Sequence, residues 1–162
     1  MKKIIVIGCP GSGKSTLSRV LHEKTSLPLY HLDRMYWNED GTTVEKHIFH
    51  ERLVAAMKGD EWILDGNYSS TMEWRMSQCD TVIFLDYPLA LCLDGIRARR
   101  GRERSDMPFV TSEADEDFID FVKSYRTQQR PRVLALLAQY GEGRTVIACK
   151  SREEADALVR GL

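Results

Sequence analysis

A chain of 162 residues, 43% of them hydrophobic, suits one domain with one packed interior and is too apolar to stay disordered. Its 23 lysines and arginines nearly balance 24 aspartates and glutamates, for a net charge of −1, which excludes the broadly basic surface of a tight non-specific DNA binder but not a local basic patch. The apolar stretches fall short of a membrane span, so no membrane association is expected.

Met1-Lys2-Lys3-Ile4-Ile5-Val6-Ile7 lacks the long apolar region and small-residue cleavage site of a signal peptide and reads as a first strand. Cys9, Cys79, Cys92 and Cys149 are scattered without a CxxC pair, as expected of reduced thiols in a cytoplasmic protein. Apolar runs at 3–7, 29–32, 62–64, 81–85 and 145–149 predict strands buried on both faces. Helical patterns cover 14–24, 44–57, 70–77, 89–100, 114–126 and 130–140. A last helix starts at Ser151, where Ser151 and Glu154 have capping-box spacing. This alternation predicts a single α/β domain over 1–162, with a mainly parallel five-stranded sheet and helices on both faces, a three-layer architecture. The polar segment 101–112, with Gly101 and Pro108, is the expected mobile loop. Ligands of such sheets bind beyond the carboxyl ends of the strands. Those ends carry Gly8, Asp33, Asp65, Asp86 and Lys150-Ser151, although turns also favour aspartate.

Gly8-Cys9-Pro10-Gly11-Ser12-Gly13-Lys14-Ser15 fits G-x-x-x-x-G-K-[ST] without a mismatch, between an apolar strand and a helix that continues through Thr16. Glycines let the backbone turn its N–H groups onto phosphate, and the following helix adds unpaired N–H groups and a partial positive charge. Lys14 is expected to reach the β- and γ-phosphates of ATP, and the Ser15 hydroxyl to ligate Mg²⁺. Cys9 reads as filler within the loop. Val82-Ile83-Phe84-Leu85-Asp86 matches the second signature of such proteins, an apolar strand whose terminal carboxylate holds Mg²⁺, although apolar strands ending in Asp are common.

The DxxG and NKxD motifs of Ras-type GTPases are absent, and one short domain excludes the large ATPase motors. With Gly8–Thr16, Tyr30-His31-Leu32-Asp33, Trp62-Ile63-Leu64-Asp65-Gly66-Asn67-Tyr68, the 82–86 strand and the arginines from Arg97, the chain resembles adenylate-kinase-like P-loop proteins. More closely it resembles the bacterial family of DNA topology modulation proteins, over nearly its whole length. The resemblance implies strand order 2-3-1-4-5, an acceptor-binding insert and a lid at about 101–113. It also implies an effect on DNA without specifying a mechanism. No helix-turn-helix, zinc finger or aromatic–basic array supports direct DNA reading.

Five arginines lie within Arg97–Arg104, and Arg97 and Arg100 share a helix face. The resemblance makes these two the catalytic lid arginines that meet the charge on the γ-phosphoryl group, with Arg97 also beside the nucleotide. The alternatives are a solvated basic surface or a nucleic-acid contact. Arg126 and Arg130 resemble a second family arginine group or are surface charges. Asp33 and Arg34 leave the acceptor open: in shikimate-kinase-like relatives an Asp here meets the acceptor hydroxyl, and in nucleoside-monophosphate kinases a nearby arginine holds the acceptor phosphate. Asp65, Asn67 and Tyr68 can line the acceptor pocket through carboxylate, amide and phenol, or form an ordinary turn with a helix cap. Arg75 could clamp an acceptor anion or lie on a surface helix. Lys150, at the last strand end, is a further nucleotide-binding candidate. Tyr36, Trp37, Trp62 and Trp74 are expected mainly in the core, with one ring free to stack on an acceptor. The leading expectation is an ATP-dependent kinase acting on a nucleotide or another small-molecule acceptor. The alternative is a nucleotide-dependent regulatory protein affecting DNA topology, with little kinase activity.

Overall fold

A computed structural model describes residues 1–99, 104–108 and 116–162. In chain order the elements are β1 (Lys3–Gly8), α1 (Lys14–Thr25), β2 (Leu29–His31), α2 (Leu32–Tyr36), α3 (Lys46–Met57), β3 (Trp62–Asp65), α4 (Ser69–Gln78), β4 (Thr81–Leu85), α5 (Leu89–Arg99), α6 (Glu116–Gln128), α7 (Arg130–Tyr140), β5 (Thr145–Cys149) and α8 (Arg152–Arg160). The strands form one parallel sheet in the order β2-β3-β1-β4-β5.

Successive residues of a strand face opposite sides of a sheet, so the unbroken apolar runs of β1, β3 and β4 need cover on both faces. Ile4, Val6, Ile63 and Ile83 pack with Leu21 of α1, Ile96 of α5, Val122 of α6 and Ala155 of α8. Ile5, Ile7, Leu64 and Phe84 pack on the other face with Leu53 of α3, Met76 of α4 and Val133 of α7. Three layers result, as expected from the alternation. Ser151 caps α8, its hydroxyl accepting from the Glu154 amide at 3.2 Å.

Two elements differ from the sequence reading. β5 is an edge strand with Thr145, Val146 and Ala148 exposed, because β4 covers only one of its sides. The helix α2 follows β2 without a loop, so Asp33 sits in a first helical turn rather than at a free strand end. Of the expected lid, residues 104–108 are described; Arg100, Gly101 and the remainder lie outside the described residues.

Candidate active site

Gly8, Gly11 and Gly13 have φ of 153°, 84° and 89°, values that L side chains rarely adopt, and they fold the loop between β1 and α1 back on itself. The loop closes with the Ser12 amide donating to the Cys9 carbonyl at 3.1 Å. Gly11 lies against α5 so closely that a Cβ there would stand 2.1 Å from the Cys92 carbonyl oxygen, and a Cβ at Gly95 would stand 2.0 Å from that of Gly11. Overpacking of this kind costs ~1–3 kcal/mol, and a tenfold change in affinity is about 1.4 kcal/mol. Gly95→Ala is therefore expected to weaken binding of a fluorescent ATP analogue by roughly tenfold or more. Unchanged affinity would show that the loop does not need this contact.

Asn67 pins the entrance to the loop: its Nδ2 donates to the Gly8 carbonyl at 2.7 Å and its Oδ1 accepts from the Gly8 amide at 3.1 Å. The Lys14 ammonium donates to the Cys9 carbonyl at 3.2 Å. Burial lowers its pKa, partly offset by Asp65 and Asp33. Cys9 itself is buried behind the loop, and the Cys92 thiol and burial push its pKa up, which suits an inert filler.

The Ser15 hydroxyl stands 2.8 Å from an Asp65 oxygen and 2.9 Å from an Asp106 oxygen. The same Asp65 oxygen lies 2.6 Å from His31 Nδ1, while the other is buried with no partner among the described residues. Arg104 reaches Asp106 through Nε at 3.1 Å and Nη2 at 2.8 Å, and stands 4.0 Å from Asp33. Arg104 and Ser15 hold the Asp106 carboxyl down to about 2 against the opposing effect of its burial. Burial instead raises the pKa of Asp33; the Tyr68 hydroxyl, which donates to it, works the other way, and Asp65 and Asp106 raise it further.

Two cavities meet here. One of 740 Å³ is lined by Asp33, Asp65, Asn67 and Tyr68 together with aromatic rings. The other, of 510 Å³, is lined by Gly11, Gly13, Thr16, Arg19, Arg104 and Arg152, among others. Lys14, Ser15, Arg99 and Asp106 belong to both linings. The strand ends of β1 and β3 and the start of α2 therefore converge on one place.

Other expected site residues stand apart. Pro10 lines the larger cavity, whereas the Ser12 hydroxyl is buried without a partner among the described residues. Arg97 is 66% exposed, pairs with Asp94 at 3.3 Å and lines neither cavity; one step along α5, Arg99 lines both. Asp86 is gripped by Arg130 through two 2.8 Å contacts, so its carboxylate faces a guanidinium and not Ser15. Arg126 donates to the Tyr87 carbonyl at 3.2 Å, Lys150 is exposed, and Arg34 donates to the Ser105 carbonyl. The sequence reading did not single out His31, Arg99, Arg104 or Asp106 individually. The arginine cluster pointed to the region, but its spacing did not select Arg99, and nothing local marks Asp106.

Arg75 does not lie on a surface, and its guanidinium is engaged on backbone carbonyls. It is fully buried and donates to the carbonyls of Gly66 and Tyr68, at 3.0 and 3.1 Å, and to that of Asn67. Burial lowers its pKa to about 10. It tethers the turn that carries Asn67 and Tyr68. Arg75→Met would leave these carbonyls without their donor, at ~1–3 kcal/mol for each one that finds no water. A fall in the denaturant midpoint at unchanged slope is the expected result. An unchanged midpoint would show that the tether contributes nothing.

The sheet order, together with a phosphate-type loop after the first strand, defines the P-loop NTPase fold. A solved structure with this fold is that of shikimate kinase from Acinetobacter baumannii in complex with shikimate; the match has a TM-score of 0.63 at 17% identity, over 99% of this chain and 90% of that one. At that identity the likeness concerns the fold alone. No protein-family model and no curated protein sequence matches the chain.

Proposed function

We propose that the protein transfers the γ-phosphoryl group of ATP to a hydroxyl group of a small-molecule acceptor. The observation that carries this reading is the wall shared by the two cavities, formed by Lys14, Ser15, Arg99 and Asp106, with Asp33 on the side of the larger one. The loop amides and Lys14 would hold the triphosphate from the smaller cavity, and the acceptor would approach from the larger.

The residues at Ser15 suit Mg²⁺. One hydroxyl hydrogen cannot serve two carboxylates at once, and the unpartnered Asp65 oxygen adds further negative potential. No group of three or more His, Cys, Asp or Glu side chains among the described residues could hold a metal alone. That fits an ion that keeps several waters and leans on substrate phosphates. Ser15 and Asp65 would hold it, in place of the Asp86 expected from the sequence. Bound there, it would neutralise charge on the phosphoryl oxygens.

Asp33 is the base: its raised pKa and its place beside the shared wall suit it to take the acceptor's hydroxyl proton. The Tyr68 hydroxyl fixes the carboxylate's orientation. Arg99 replaces Arg97 as the arginine that meets charge developing on the γ-phosphoryl group. Acceptor-dependent ADP release under Mg-ATP tests the proposal. ADP formed with a phosphorylated acceptor supports it. Hydrolysis stimulated by DNA without any phosphorylated acceptor would overturn it in favour of the regulatory alternative.

A further inference from the structure

The larger cavity also limits what the acceptor can be, and this step rests on the proposed phosphoryl transfer to a hydroxyl. Away from the shared wall its lining is aromatic on two sides. Tyr36, Trp37 and Tyr68 form one side, with the Tyr36 ring 5.4 Å from Trp37 and 5.0 Å from Tyr68. Phe118, Phe121 and Tyr125 of α6 form the other, with Phe118 and Phe121 stacked at 6.4 Å. Rings lining a cavity accept a flat guest, because a ring system gains area burial and offset stacking against them. A volume of 740 Å³ lies within the ~300–1,000 Å³ usual for drug-sized ligands and is generous for a small polyol.

The charges at the reacting end point the same way. Asp33, Asp65 and Asp106 line this cavity beside the shared wall and would repel a phosphate or carboxylate placed there as nucleophile. The nearby arginines are already engaged: Arg104 on Asp106, Arg75 on backbone carbonyls, Arg130 on Asp86, Arg126 on the Tyr87 carbonyl and Arg34 on the Ser105 carbonyl. Of the arginines that do line the cavity, Arg99 belongs to the wall shared with the triphosphate, and Arg132 is exposed on α7. A monophosphate nucleophile also has little need of a base, since its second pKa is about 6. A hydroxyl does need one.

We propose that the acceptor is a nucleoside-class alcohol: a flat, heteroatom-bearing ring system held between the two aromatic sides, with an uncharged hydroxyl presented to Asp33. The hydroxyl oxygen forms the new bond to the γ-phosphorus, the bond from that phosphorus to the β–γ bridging oxygen breaks, ADP leaves with the electron pair, and the proton passes to Asp33. The products are a nucleoside monophosphate and ADP.

The test is a panel of nucleosides, the corresponding nucleoside monophosphates, shikimate and simple polyols, offered with Mg-ATP to the full chain. ADP release is followed together with the mass of the phosphorylated product. Nucleosides are expected to give kcat/KM at least about tenfold above every other class, the equivalent of ~1.4 kcal/mol. Phe121→Ala, at a side chain already 43% exposed, is expected to raise KM for the nucleoside several-fold while KM for ATP stays constant. Equal or better turnover of shikimate or of a ring-free polyol would overturn the acceptor class and leave transfer to a hydroxyl standing, whereas equal or better turnover of a monophosphate would overturn the hydroxyl as nucleophile as well. ATP binding without phosphorylation of any acceptor in the panel would overturn both.

Discussion

Replacing Lys14 with alanine is expected to lower kcat/KM for ATP by about 10²–10³-fold while the chain remains folded. Removing one preorganised donor from a site of developing charge costs ~3–4 kcal/mol in the transition state. Lys14 shares the wall common to both cavities with Arg99, which has its own proposed task there and does not make good the loss. Stability should respond in the opposite direction. The folded-state pKa of Lys14 is lowered, chiefly by burial, so below that pKa the unfolded chain holds the charge more cheaply. Its cost to stability is fully present below the folded value and fades as pH rises from there towards the usual 10.5. Lys14→Ala should therefore melt no lower than the parent, while losing most of the thermal stabilisation that Mg-ATP gives. Parental turnover in a folded Lys14→Ala protein would remove the loop from the chemistry.

The fold was legible because its signals were local. The apolar runs of β1, β3 and β4, the glycines of the loop and the Ser151 cap each mark their own element, and the observed bounds fall within two residues of expectation. α2 escaped notice because five residues give too little periodicity to recognise. The candidate site was legible only where one strand end or the glycine loop supplies its residues. Lys14, Ser15, Asp33 and Asp65 were visible as loop or strand-end residues. Asp106 reaches the candidate site through a contact with Ser15 across 91 positions, and Asp86 is held by an arginine 44 positions away. Arg75 shows the same limit: its charge suggests a surface residue although it shares the helix face of Thr71 and Met72, and the turn folded above it makes it a buried tether. The edge position of β5 follows from strand order, which no single strand encodes.

Asp33→Asn is expected to lower kcat by about 10²–10⁴-fold, the usual contribution of a positioned base, while the dissociation constant for ATP stays within roughly twofold of the parent. Asparagine keeps the size of the side chain and an oxygen that can accept from Tyr68, so the loss falls on proton transfer and not on packing. Asp65→Asn should behave differently, because Asp65 stands at Ser15, where Mg²⁺ and the triphosphate would meet: there both ATP affinity and turnover should fall. The pH profile separates a base from a spectator. A base works only when deprotonated, so kcat should fall as pH drops through its pKa, and burial moves that acid limb above the ordinary aspartate value of 3.8. The Tyr68 hydroxyl donates to Asp33 and stabilises its charged form, opposing the burial. Tyr68→Phe keeps the ring but removes the donor, so Asp33 should become harder to ionise and the acid limb should shift to higher pH. Turnover at high pH would then recover more than turnover near neutrality. A limb that stays in place in Tyr68→Phe, or one that persists unchanged in the residual activity of Asp33→Asn, would assign the titration to another group and deprive Asp33 of its role as base.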